Sequence, residues 1–373
     1  GRAVEIQKEA LRLLGVEIDD EGLSALLERE LEAVPRLLGG RRIESLCDAP
    51  LMDSPRHAAI MDILMGLWTS AYLNSQLELV AWSSCKMTNI SLEYGNNRLT
   101  AYGYMNYAFV CVALLGQYET GHRFGEVANR LAERFDDLLL RGKVYLLFAV
   151  FVNHWRAPLA TSLDYSRKSF PLLAESGDWI YAGYCAEFAI SDPTIWGMPC
   201  DELLEAAQRY IPFLQNNAPV VLDEFFRPAC LNPLLQLLGR TRNDHTFDDD
   251  DFCEETFLQD YRNNPLALSY FYTAKLRSLY WFGDWDEALA MAGQADFVAS
   301  VALAQAKVPE IYFFASLTLL ALFDRFTPEE WEQHAIRIAG YQEKMKVWAG
   351  HSPANFRHKF LLVEAERARI ATS

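Results

Sequence analysis

Gly283-Asp284-Trp285-Asp286-Glu287-Ala288 decides the reading of the fold, because the same order of residue types stands at two other places. These are Gly116-Gln117-Tyr118-Glu119-Thr120-Gly121 and Gly177-Asp178-Trp179-Ile180-Tyr181-Ala182. Each runs glycine, polar, aromatic, two variable residues, then a small residue. Glycine ends a helix in the left-handed conformation without steric cost, and the polar residue that follows can cap the next helix. The aromatic ring then folds back over the turn, and the small residue lets the two helices approach closely. Gly116, Tyr118, Gly177, Asp178, Gly283, Asp284 and Ala288 are therefore read as structural residues of helical-hairpin turns. They match the central positions of the tetratricopeptide pattern, whose period is about 34 residues. The turns lie 61 and 106 residues apart, close to two and three periods, with degenerate hairpins between them.

Helical periodicity extends outward from these turns. Ile60, Ile63, Leu64, Leu67, Trp68, Ala71 and Tyr72 fall on one stripe of a helix, and Asp53-Ser54-Pro55 ahead of it supplies a capping side chain and a first-turn proline. Thr327-Pro328-Glu329-Glu330 has the spacing of a capping box. Alternation of the strand type is nearly absent. The expectation is an all-α superhelical array: residues 1–50 form opening helices that begin within a truncated first hairpin, and 51–373 form one continuous repeat domain. The acidic stretch Thr241–Glu255 is read as an insertion between helices in preference to a domain boundary.

Composition narrows the partners. The chain of 373 residues is 51% hydrophobic and carries a net charge of −16, with no Lys/Arg-rich stripe. Such a surface disfavours nucleic acid and anionic membranes and favours proteins or basic segments. No apolar run approaches the ~20 residues of a membrane-spanning helix. The opening Gly1-Arg2-Ala3-Val4 is neither a signal peptide nor a Met start, which reads as a fragment of a longer cytoplasmic protein. The seven cysteines are dispersed and odd in number, as small buried hydrophobes in a reducing compartment would be.

The chemistry-bearing motifs give no enzyme. Asp248–Asp251 lacks the alternating ligands and mid-loop glycine of a calcium site and suits a helix N-terminus instead. Phosphate-cradling glycine loops and the nucleophile elbow are missing, and no histidine stands at ligand spacing from a cysteine or carboxylate. No catalytic residue, cofactor or metal is expected. Trp155, Trp179, Tyr181, Tyr184, Phe271, Tyr272 and Trp285 are candidates for an aromatic groove on the concave face of the array, against their use as plain helix-packing residues. Asn355, His358 and Lys359 form a distinctive turn. Either Asn355 caps the final helix with His358 bonded into the array, or the turn docks a neighbour.

Several strings together resemble a known region: Ala10–Val16, Ile43–Leu46, Pro50–Asp53, Ser91–Asn96, Asn153–Trp155, Ser176–Trp179 and Asn355–Lys359 running into Leu361–Glu366. In this order they are similar to the tetratricopeptide-like helical segment of large bacterial predicted-ATPase signalling proteins. In that family a serine/threonine kinase and an AAA-type ATPase precede the segment, and GAF and histidine-kinase modules follow it. The resemblance implies a non-catalytic interaction and relay scaffold whose partners are proteins or flanking modules of the same chain. The alternative is a small-molecule or peptide sensor that uses the aromatic face.

Overall fold

The computed structural model describes residues 2–19 and 22–371, and all regular structure among them is helical apart from a single bridge between Leu51 and Asn96. The chain forms two compact units, residues 1–152 with 171–176, and 153–170 with 177–373. Residues 1–50 belong with the first unit, and the helix α8 (Ala160–Glu175) runs across the division.

The first unit contains α1 (Arg2–Leu13), α2 (Leu23–Leu38), α3 (Pro55–Leu73), α4 (Leu77–Tyr94), α5 (Thr100–Ala113), α6 (Tyr118–Phe135) and α7 (Leu138–Leu147). The last continues into a π-helical turn at Phe148–Val152. Helices adjacent in sequence pack on one another from α3 through α6. Ser54 caps α3, with Pro55 in its first position, and the stripe read from sequence buries Ile60, Leu64, Leu67, Trp68 and Ala71. Trp68 stacks on Tyr72 at 5.3 Å and meets Tyr102 and Phe109 edge-on, while its indole N–H donates to Ser84 Oγ at 3.0 Å. A large ring is thus buried with its one polar atom satisfied.

The second unit contains α9 (Trp179–Trp196), α10 (Cys200–Asn217), α11 (Pro219–Val221), α12 (Asn232–Leu237), α13 (Glu254–Asp260), α14 (Pro265–Phe282), α15 (Trp285–Ala292), α16 (Ala295–Val301), α17 (Lys307–Ala321), α18 (Pro328–His351) and α19 (Pro353–Ala371). A π-helical stretch, Leu222–Leu231, joins α11 to α12. Thr327 and Glu330 make both bonds of the capping box at the start of α18, at 2.9 and 3.3 Å. Leu317, Leu320, Ile338, Val363 and Ile370 form a core shared by α17, α18 and α19. The acidic stretch lies between α12 and α13. There Asp248 Oδ1 accepts the Glu254 N–H at 2.8 Å, so the run satisfies a helix terminus.

All three turns share one backbone geometry. Gly116, Gly177 and Gly283 have φ of 63°, 81° and 75°, and α6, α9 and α15 each begin at the aromatic residue two positions on. At the small position Ala182 and Ala288 are fully buried, and a Cβ on Gly121 would come within 2.9 Å of Ala108 O. The capping role differs among the three. Only Asp178 accepts a backbone N–H, from Tyr181 at 3.3 Å, whereas Asp284 turns outward to His245 at 2.8 Å.

Candidate functional site

The second unit buries charge on four helices. Lys307 and Glu310 stand three apart in the first turn of α17, hence on one face of it. Lys307 reaches Glu187 of α9 at 3.1 Å and Ser191 at 3.5 Å, and its ammonium lies over the rings of Tyr270 and Phe188 at 3.9 and 4.4 Å. Glu310 pairs with Lys359 of α19. Asp192 is buried one turn beyond Glu187, and Arg277 of α14 is buried with its guanidinium over Trp281 at 5.5 Å. All six ionisable side chains are less than a tenth exposed. Charges taken out of water in this way are retained only where partners offset the desolvation.

Desolvation leaves its mark on their titration. Burial raises the Glu187 pKa despite the neighbouring Lys307 charge, and pushes Asp192 up to about 7. Burial, with the Arg277 charge second, brings Lys359 down to about 7; Arg277 itself is lowered to about 10 by burial. Near neutrality this core is therefore poised between protonation states.

A largely enclosed cavity of about 100 Å³ opens beside the Glu310–Lys359 pair. The end of α9 (Ile195, Trp196), the start of α17 (Ala306, Glu310), the start of α19 (Ala354 to Lys359) and the residues His154 and Leu159 line it. This is where the structure places the turn singled out from sequence. Asn355 is not the N-cap of α19 but its third residue. Its Nδ2 donates to His154 O at 2.6 Å and Ala157 O at 2.8 Å, and its Oδ1 accepts the Leu159 N–H at 2.8 Å, tying α19 to the chain before α8. His358 faces the cavity with its outer side in solvent, and desolvation lowers its pKa. Lys359 points inward to Glu310 and is not available to a docking protein.

The seven aromatic candidates do not line one groove. Trp155 is buried against Trp348 and Phe356, its indole N–H on Ala304 O at 3.1 Å. Phe271 is core, between Phe247 and Phe257. Tyr181 and Tyr184 start a row of rings that continues through Phe225 to Tyr270, over which Lys307 sits. Tyr272 meets Phe297, Trp285 folds back on Tyr280, and Trp179 is 48% exposed.

The charged core has only a faint signature in the sequence. Its signal was a charge amid apolar neighbours, as in Ala186-Glu187-Phe188 and Lys307-Val308-Pro309-Glu310-Ile311, where the helical period puts it on a buried face.

The first unit carries a different feature, an open cleft of about 570 Å³ between α2, α3 and α4 with Arg29, Arg36, Arg56 and Lys86 on its walls. Lys86 is held by Glu30 at 2.7 Å, and His57 stacks on Tyr94 at 3.7 Å. Among the described residues no three His, Cys, Asp or Glu side chains converge as metal ligands would, and no helix is long and apolar enough to cross a membrane. No protein-family model matches the chain, and none of the curated proteins does.

Proposed function

We propose that the chain is a non-catalytic interaction and relay array of tetratricopeptide-like hairpins, a regulatory segment of a larger cytoplasmic ATPase/kinase signalling protein. The observation that carries this reading is the recurrence of one turn geometry at Gly116, Gly177 and Gly283, each followed by a helix starting on an aromatic residue and closing on a small one. Hairpins of this kind touch mainly their neighbours, so a shift in one is passed to the next. The acidic surface suits basic partner segments.

Gly121→Val tests it in the full-length protein. The new side chain meets Ala108 O and Val112 across the α5–α6 contact, so the hairpin must open. Overpacking of this sort costs about 1–3 kcal/mol. Nucleotide hydrolysis should persist while its coupling to kinase output falls. Coupling that survives the wedge, in protein shown to have shifted packing by its thermal midpoint, would sink the proposal. A second reading, a small-molecule sensor, is favoured by the cavity at Asn355–Lys359.

A further inference from the structure

We infer that the apolar edge at the starts of α9 and α11, together with the acidic hollow beside it, docks a basic amphipathic helix of a partner protein. This rests on the interaction half of the proposed function. Gly121→Val reads coupling through the first unit and the test below reads binding to the second, so either can fail alone.

The apolar edge comes first. Trp179 and Ile180 are 48% and 40% exposed at the start of α9, and Val220 of α11 is 54% exposed. Gly183, one turn into α9, abuts α11 so closely that a Cβ on it would stand within 3.2 Å of side-chain carbons of Ala218 and Val221. The exposed start of α9 therefore lies beside Pro219 and Val220. A lone exposed apolar side chain is ordinary on a surface, whereas large ones brought together from two helices mark a contact site.

Charge selects the occupant. Asp223 follows Val220 by three residues on the same helical run, hence on one face of it, and it lines a hollow of about 470 Å³. Asp249, Asp250, Asp251 and Asp260 complete the acidic lining against Arg227 and Arg242, which leaves three negative charges unbalanced. Arg227 lies 3.9 Å from Asp223 and 3.5 Å from Asp251, so the lining already seats one guanidinium. Asp250 and Asp260 are exposed and make no ion pair among the described residues. Phe252, Phe257 and Tyr261 run along the wall with ring centres 5.7 and 4.9 Å apart, a surface for the stems of Lys or Arg. A helix with an apolar stripe and basic flanks matches both parts at once. A second copy of this chain, with a net charge of −16, does not.

The experiment is fluorescence anisotropy of a labelled helical peptide of leucine and lysine, its leucines on one face, titrated with the whole chain. A peptide of the same composition in scrambled order keeps the charge and loses the stripe, and a third carries glutamate in place of lysine. Saturable binding of the first peptide is expected, at least tenfold tighter than the scrambled one, with none of the acidic one. Trp179→Ala, and separately Asp250→Asn with Asp260→Asn, should each weaken it at least tenfold. All three positions are exposed, so these variants keep the fold, and an unchanged thermal midpoint verifies it. Absence of binding, equal binding of the ordered and scrambled peptides, or full affinity retained by either folded variant would overturn the inference.

Discussion

The two units solve the same problem, a helical core too polar to be simple oil, in opposite ways. Most buried polar side chains of the first are neutral: Ser83, Ser84, Thr88, Asn89, Ser91, Asn96, Thr100, Asn106 and Asn129, with Lys143 the charged exception among the described residues. Short hydroxyls return their hydrogen bond to the backbone four residues earlier, as Ser84 does to Val80 and Ser91 to Met87. Each such bond costs little to make and adds on the order of 1 kcal/mol. The second unit buries Glu187, Asp192, Lys275, Arg277, Lys307, Glu310 and Lys359. Ion pairs out of water are poor investments in stability, since apolar residues of equal volume often do as well or better. The contrast is plain: the second unit holds seven Asp, Glu, Lys and Arg side chains out of water, where the first holds Lys143 alone among the described residues.

The sharpest way to break this comparison is to strand a charge. Lys307→Met removes the ammonium from a carboxylate that is 0% exposed, and the expected loss is about 3–5 kcal/mol. Lys307→Met with Glu187→Leu should recover most of it. Urea unfolding followed by tryptophan fluorescence reads the second unit well, because all but Trp68 and Trp82 of the nine tryptophans lie there. Equal losses in the single and double variants would mean that Lys307 matters for its packing on Tyr270 and Phe188 and not for its charge. In the first unit, Thr88→Val deletes a bond to Gly103 O and should cost only about 1 kcal/mol.

The next effect is the pH dependence. Asp192 titrates near 7 in the fold and near ~3.9 in the unfolded chain, so the native state holds a proton that the unfolded state has lost. Its stabilisation is complete below pH ~4 and disappears as pH rises through 7, and the raised Glu187 acts in the same sense. Lys359 does the reverse. Its folded value near 7 lies below the ordinary ~10.4, so stability is present in alkali and lost as pH falls through 7. His334 and His358, both lowered by burial, oppose the acid arm across the imidazole range. The sum is a fall in the stability of the second unit from pH 4 to 7, on the order of 3 kcal/mol before that opposition. Above about 8.5 the Lys359 gain is offset by Cys185 and Cys230, whose thiols burial raises so that the fold keeps protons the unfolded chain loses. Chemical denaturation from pH 4 to 8 tests it, with Asp192→Asn reducing the fall and leaving the Glu187 contribution in place. A maximum at pH 7 in the wild type would contradict the assignment.

How far the sequence discloses each unit follows from the same contrast. Helix ends were legible because they are local: Ser54-Pro55, Thr327–Glu330 and the three glycines each act within a few residues. The turn at Asn355 stood out, yet its bonds run to His154 and Ala157, some two hundred residues away, so its role as a tether could not be read from neighbours. The aromatic groove failed for a related reason. Ring positions follow from helix packing in three dimensions, and period alone does not tell a concave face from a core. Glu187, Lys307, Glu310 and Arg277 were hidden further, because a charge in an apolar helix looks like surface until its partner helix is known.

The smallest expected effect separates two turns that look alike in sequence. Trp285 folds back over its turn and meets Tyr280 edge-on at 5.6 Å, whereas Trp179, at the equivalent position, is 48% exposed. Trp285→Ala should therefore cost roughly 1–2 kcal/mol from the lost ring pair and buried area. Trp179→Ala should stay within about 0.5 kcal/mol, as surface changes do. If hairpin turns were interchangeable parts, the two costs would be equal, and thermal unfolding of both variants decides it. An unequal result in the direction given shows that the two turns use their aromatic residue differently, Trp285 packing on its own hairpin and Trp179 leaving about half its surface to solvent.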